Sequence, residues 1–175
     1  TDEVIVNPLP TATIAGTNQV CENSPTQTLT FTGADGTAPY TFTYSYNGGA
    51  PQTIVSTGNV ATISVPTTTA GTFDYELLSV SDASATVCSQ VQTGNATVTV
   101  LPLPTATISG SSTVCVNDAA PVVTFTGANG TAPYTFTYSL NGGPNQTITS
   151  TGNVATINVP TTASGTFNYD LISVE

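Results

Sequence analysis

The sequence predicts an all-β chain made of tandem β-sandwiches of immunoglobulin size, about seven strands each. Three observations predict it. First, apolar and hydroxyl residues alternate in short runs, as in Tyr40-Thr41-Phe42-Thr43-Tyr44-Ser45. Successive strand side chains point to opposite faces, so the three aromatics share one face and the hydroxyls the other. Second, Asn47-Gly48-Gly49 follows that run, and Asn-Gly after an alternating run is a strong hairpin signal. Third, the chain repeats with an offset of 94 (115 − 21), which relates Cys21 to Cys115, Phe31 to Phe125 and Tyr75 to Tyr169. Over residues 8–81 against 102–175, roughly 50 of the 74 positions are identical. That period is too long for a solenoid unit and suits one sandwich with its own core. No segment shows a 3.6-residue apolar period with caps, so no helix is expected.

The first repeat, 8–101, opens on Pro8-Leu9-Pro10, an extended and semi-rigid joint. A first strand is expected over Thr11–Ala15, with Ala12 and Ile14 on its apolar face. A second covers Thr28–Thr32, with Leu29 and Phe31 inward. Gly33 to Pro39 is a turn, and Tyr40–Tyr46 the central strand. Gln52–Val55 and Val60–Val65 follow, separated by Thr57-Gly58-Asn59, and Pro66 ends the second of them. In Thr72–Val80 the apolar phase switches from Phe73, Tyr75 and Leu77 to Leu78 and Val80, which predicts a bulge near Leu77. Ala96–Val100 is the last strand, with Val98 and Val100 inward.

Residues 1–7 match the last strand of a preceding repeat, because Val4 to Asn7 lie 94 before Val98 to Leu101. The second repeat, 102–175, is expected to lack its final strand and second cysteine. Two readings follow. The chain is a window cut from a long array, or Val4 to Val6 of one molecule completes the open sandwich of the next. An extended segment can add to an unpaired strand edge. Such a head-to-tail contact need not close on itself and can build a filament.

Composition narrows the function. The 175 residues include no Lys, Arg or His and ten acids, a formal charge of −10. Nothing can neutralise phosphates, so nucleic acid is excluded as a partner. No apolar run is long enough for a membrane-spanning helix, so no membrane insertion is expected. Catalysis is not expected either: a nucleophilic Ser or Thr needs a base, and no His or Lys can serve. A paired-carboxylate mechanism fails on residue identity, since Asp35 becomes Asn129 and Asp74 becomes Asn168 in the second repeat. No cofactor is expected. Calcium at a junction is the one cation the acids could serve; the plainer reading is that they keep a Thr-rich surface soluble.

Cys21 and Cys88 stand near the two ends of one repeat, and a disulfide between them is expected. A loop this long would gain about 4 kcal/mol from the lost entropy of the unfolded chain. Cys115 matches Cys21 and is expected to be unpaired here, its partner falling at position 182 (88 + 94). Aromatic platforms for sugar stacking are outweighed by a core role for Tyr40, Phe42 and Tyr44. The candidate ligand loop is therefore the turn before the central strand: Gly33, Asp35 and Gly36, with Gly127, Asn129 and Gly130 in the second repeat.

Three motifs carry a resemblance: Pro102 to Gly110 at the start of a repeat, Gly130 to Gly143 across the central strand, and Ala70 to Leu77. The chain resembles the PKD-like and Ig-like tandem repeats of giant Bacteroidota cell-surface proteins, of the gliding and adhesin type exported by the type IX system. That resemblance implies an extracellular, cell-surface location. It also implies a structural role as a spacer or stalk of an adhesin or filament, with neighbouring repeats as partners. Two alternatives are a glycan- or protein-binding module working through loops at one end, and a filament subunit polymerising through residues 4–7.

Overall fold

Fifteen strands and no helix make up the described residues, 2–175, of the computed structural model. The chain divides into two units, Thr1–Leu101 and Pro102–Glu175.

Unit 1 holds nine strands: β1 (Thr11–Ala15), β2 (Asn18–Cys21), β3 (Gln27–Ala34), β4 (Thr41–Tyr46), β5 (Gln52–Val55), β6 (Val60–Val65), β7 (Gly71–Ser81), β8 (Ser89–Val91) and β9 (Asn95–Leu101). One sheet has the order β1-β3-β6. The other has the order β2-β9-β7-β4-β5, with β8 pairing β7. The inner faces meet in a single aromatic core. Leu29, Phe31, Phe42, Val80, Ala96 and Val98 have no exposed surface, and Tyr40, Leu77 and Val100 almost none. The rings of Phe31 and Phe42 stack at 5.5 Å across the two sheets. Each buried Val, Leu or Phe stabilises the fold by about 1.5–3 kcal/mol through burial alone.

The turns follow from their residues. Asn47 and Gly48 both have positive φ, 48° and 67°, the geometry of the two-residue turn that matches strand twist. The Asn47 side chain also accepts the Asp74 N–H at 2.8 Å, which ties the β4–β5 hairpin to β7. The expected bulge is present. Thr43 faces Ser79 while Tyr44 faces Leu77, leaving Leu78 as the extra residue. The bulge returns Val80 to the core after Leu77.

Two strands depart from the sequence expectation. β2 and β8 show no alternation, and each exists through one tertiary partner: β2 runs parallel to β9, and β8 antiparallel to β7. The Val4–Asn7 segment, expected as a strand, forms none. Its Val4, Ile5 and Val6 are 87%, 71% and 88% exposed. In unit 1 the corresponding place beside β7 is held by β9, so the segment has no ladder to join.

Unit 2 repeats six of these strands: β10 (Thr105–Ser109), β11 (Val122–Ala128), β12 (Thr135–Leu140), β13 (Gln146–Thr149), β14 (Val154–Asn158) and β15 (Tyr169–Val174). Its sheets are β10-β11-β14 and β13-β12-β15. Phe125 and Phe136 are fully buried and stack at 5.7 Å. β15 pairs only with β12, and among the described residues no strand lies along its other edge.

Candidate functional site

The turn proposed as a ligand loop is closed by its own tyrosine. The Tyr40 hydroxyl donates to the Gly36 carbonyl at 2.8 Å and accepts the Gly36 N–H at 3.1 Å. Gly33 lies flat on the same ring: a Cβ there would sit 2.5 Å from Tyr40 Cγ. Unit 2 repeats the arrangement, with the Gly130 N–H on the Tyr134 hydroxyl at 3.1 Å and Gly127 against the Tyr134 ring. The change of Asp35 to Asn129 also has a structural explanation. Thr11 donates its hydroxyl hydrogen to the Asp35 carboxylate at 2.6 Å. Asn129 donates its amide to the Thr105 hydroxyl at 3.1 Å. The hydrogen bond survives with its polarity reversed, and the charge is not needed for it.

The Cys21–Cys88 disulfide is not formed: all three cysteines are free. The reason is strand direction. Cys21 ends β2, level with Leu101 at the end of β9 and hence with the start of β7, where Gly71 faces Val100. Cys88 lies at the far end of β7, where its N–H donates to the Asp82 carboxylate at 2.9 Å. The eleven residues of β7 separate them, about 33 Å at ~3.3 Å per residue. A disulfide needs Cα atoms within about 7 Å. Cys115 is exposed, and its N–H donates to Asp118 at 2.8 Å.

Asp82 is an anchor that sequence reading did not single out. It is only 5% exposed. Its carboxylate accepts the amides of Thr37 (3.1 Å), Ser84 (3.3 Å) and Cys88 (2.9 Å), and the Ser84 hydroxyl (2.8 Å). These bonds, led by the Thr37 amide, hold its carboxyl below the usual range against the opposing effect of burial. The signal was available in Asp82-Ala83-Ser84, since Asp commonly bonds the backbone two residues on. The other acids make no such convergence. Asp74 and Glu76 line a shallow dent with Gly94 and Asn95. Among the described residues no three His, Cys, Asp or Glu side chains cluster as a metal site would require.

A groove of about 560 Å³ lies in unit 2. Ile108, Val123, Val159, Phe167, Tyr169 and the Ser111–Val116 segment line it. By the 94-residue offset Tyr169, Phe167 and Gly165 match Tyr75, Phe73 and Gly71. In unit 1 those three face Ala96, Val98 and Val100 of β9. The groove is therefore the β9 position of a sandwich, with β9 not in it. Burial keeps the Tyr169 hydroxyl above its ordinary value, with Tyr138 adding to the effect.

Comparison with known proteins adds little. No family model matches the chain, and no curated protein does. Among solved structures, a Ca2+-stabilised adhesin with which an Antarctic bacterium binds ice aligns over 90% of this chain and 42% of its own, at 18% identity and a TM-score of 0.46. The BSP domain of a biofilm-associated protein aligns over 91% of this chain and 25% of its own, at 18% identity and a TM-score of 0.27. The chain thus spans less than half the length of either.

Proposed function

We propose that this chain is a segment of an extracellular β-sandwich array on a bacterial surface, in which each unit is a non-catalytic spacer of an adhesin-type protein or filament. One observation carries the reading. In unit 1 the linker and the exit lie at opposite poles. Pro10 sits against Gly36 and Asp82, at the far end of β7, while Leu101 lies beside Cys21 near Gly71. A tension applied at Thr11 and Leu101 acts along β1 and β9, so their ladders with β3 and β7 are sheared and several hydrogen bonds must break together. The Pro-flanked linkers and the uniformly acidic surface suit an extended, non-sticking stalk.

Single-molecule pulling of the whole chain from its two termini tests this. Abrupt rupture of each unit is expected, and gradual unzipping at low force overturns the spacer role. A glycan array on the folded chain addresses the alternative of binding through the loops at one pole. Silence is expected; hits shared by both units would favour a binding module.

The alternative of a subunit that polymerises by strand donation has its own test. Val4 and Val6 occupy the repeat positions of Val98 and Val100, which are buried in unit 1. Inserted beside β15 of a second copy, they would cover Phe167 and the strand edge. Asp2 falls at the position of fully buried Ala96, so the donated segment would fit from Val4 onward and strain at Asp2. Size-exclusion chromatography over a concentration series decides: growth with concentration is expected, and a concentration-independent monomer overturns it.

A further inference from the structure

We propose that the parallel β2–β9 pair of unit 1 is the seam that bears tension in the stalk, tying the stretch by which the chain enters the sandwich directly to the strand by which it leaves. The inference rests on the spacer reading and names, within it, the hydrogen bonds that set the rupture force.

Burial does not explain β2. Of Asn18, Gln19, Val20 and Cys21, only Val20 packs against the core, and the other three are exposed. Its place in the chain does explain it. β2 continues β1 across Gly16-Thr17. Gly16, at φ 122°, carries the stretch from one sheet to the other, and a Cβ there would sit 2.6 Å from the Thr28 carbonyl oxygen. The entry stretch is thus bonded to both sheets, β1 to β3 and β2 to β9. Among the described residues of unit 1, β2–β9 is the one ladder that joins this stretch to the exit strand with no strand between.

The seam runs past both ends of the register, which extends from Asn18 opposite Val98 to Cys21 opposite Leu101. The Glu22 N–H donates to the Leu101 carbonyl at 2.8 Å, and the Thr17 hydroxyl accepts the Thr97 N–H at 3.2 Å. Backbone N–H groups alternate sides along a strand, so those of Asn18 and Val20 face β9 as that of Glu22 does. The Gln19 N–H faces away and bonds the Asn18 side chain at 2.9 Å. Strand direction decides how the seam fails. Tension draws β2 back toward Thr11 and β9 onward past Leu101, so two parallel strands are pulled past one another in opposite senses. The bonds of a parallel pair are evenly spaced; they share the load and break together.

Proline variants of the full chain test the seam, each measured by single-molecule pulling and by urea denaturation. The units release different lengths of chain, 11–101 against 105–174, so each rupture can be assigned. Glu22 is the second residue of a turn in which the Ser24 N–H bonds the Cys21 carbonyl at 3.1 Å and Asn23 has φ 64°, a position that favours proline. Glu22→Pro therefore removes one seam bond and keeps the turn. It should lower the rupture force of unit 1 by about a fifth, the share of one bond among those loaded together, and leave the urea midpoint unchanged. Adding Thr17→Val, which removes the acceptor of the Thr97 amide, should lower the force further. Gln19→Pro puts the same residue in the same strand with its nitrogen on the outer edge, where proline is tolerated, and should keep the parent force. Ser56→Ala removes a buried hydrogen bond off the load path; it should lower the urea stability of unit 1 and leave the force unchanged. The proposal is overturned by an unchanged force in Glu22→Pro, by an equal loss in Gln19→Pro, or by a force that follows urea stability across the variants. A parent chain that unzips gradually overturns the spacer reading and this inference with it. Abrupt rupture of the parent, at a force that Glu22→Pro does not alter, removes this inference alone.

Discussion

Units 1 and 2 share most of their residues, yet one is a closed sandwich and the other an open one. Gly71-Thr72-Phe73 begin β7, whereas the identical Gly165-Thr166-Phe167 belong to no strand. Asn18–Cys21 form β2, whereas Ser112–Cys115 form nothing regular. Both differences trace to β9, the sole partner of β2 and the partner of the first half of β7. The core responds in both sheets: fully buried Val65 of β6 corresponds to half-buried Val159, and buried Ala12 of β1 to half-buried Ala106. Leu77 and Val80 are fully buried, while their equivalents Leu171 and Val174 are half-buried. On the side away from β9 the units agree: Tyr40 and Phe42 stack at 6.2 Å, and Tyr134 and Phe136 at 6.2 Å. A closing strand thus converts residues without strong local preference into strand and deepens burial on the facing sheet, while the Tyr40–Phe42 end of the core is the same in both units.

The largest test of this comparison is in the shared core. Phe31→Ala and Phe125→Ala should each cost about 3–5 kcal/mol. Urea denaturation followed by circular dichroism should show two transitions in the parent, the lower belonging to unit 2. Phe125→Ala should abolish the lower one, and Phe31→Ala should shift only the upper. A single transition that both variants shift alike would show that the units are not independent. Next, Val98→Ala should lower the upper transition by about 2–3 kcal/mol and leave the lower unchanged. A matching change in both would sever the link between β9 and unit 1.

A smaller effect sharpens the part that does not differ. The Ser56 hydroxyl accepts the buried Tyr40 N–H at 2.6 Å, and Ser150 accepts that of Tyr134 at 2.7 Å. Ser56→Ala and Ser150→Ala should each cost about 1–2 kcal/mol by orphaning that donor. Equal losses are expected in the two units, because neither site touches β9; unequal losses would extend its influence to this hydrogen bond. The smallest is a pH effect confined to unit 1. The Asp82 carboxyl is held below its ordinary value in the folded state, so its contribution is complete above about pH 4 and is lost as pH falls through the lowered folded value. Acid titration should weaken the upper transition in that window, and Asp82→Asn should remove the dependence. An unchanged acid profile in that variant would remove Asp82 from the account.

The residues themselves were enough for the sandwich class, the aromatic face of β4, the hairpin at Asn47-Gly48 and the bulge beside Leu77. Alternation and turn chemistry are local, and a strand's side-chain period of two follows from covalent geometry alone. The turn offered as a candidate ligand loop was legible as a turn, but the reasons for its residues were not. Gly33, Asp35 and Gly36 are explained by a tyrosine four or more residues away and by Thr11 on another strand. β2 and β8 were invisible because their pairing energy is supplied by β9 and β7. The disulfide expectation failed for the same reason. Closeness to the two ends of a repeat says nothing about which pole of a sandwich a residue reaches, and only the parallel pairing of β2 with β9 sends Cys21 away from Cys88. Periodicity thus settles which faces turn inward, whereas strand direction and the choice of neighbour arise from contacts far apart in the chain. Here those contacts decided which pole Cys21 and Cys88 each reach.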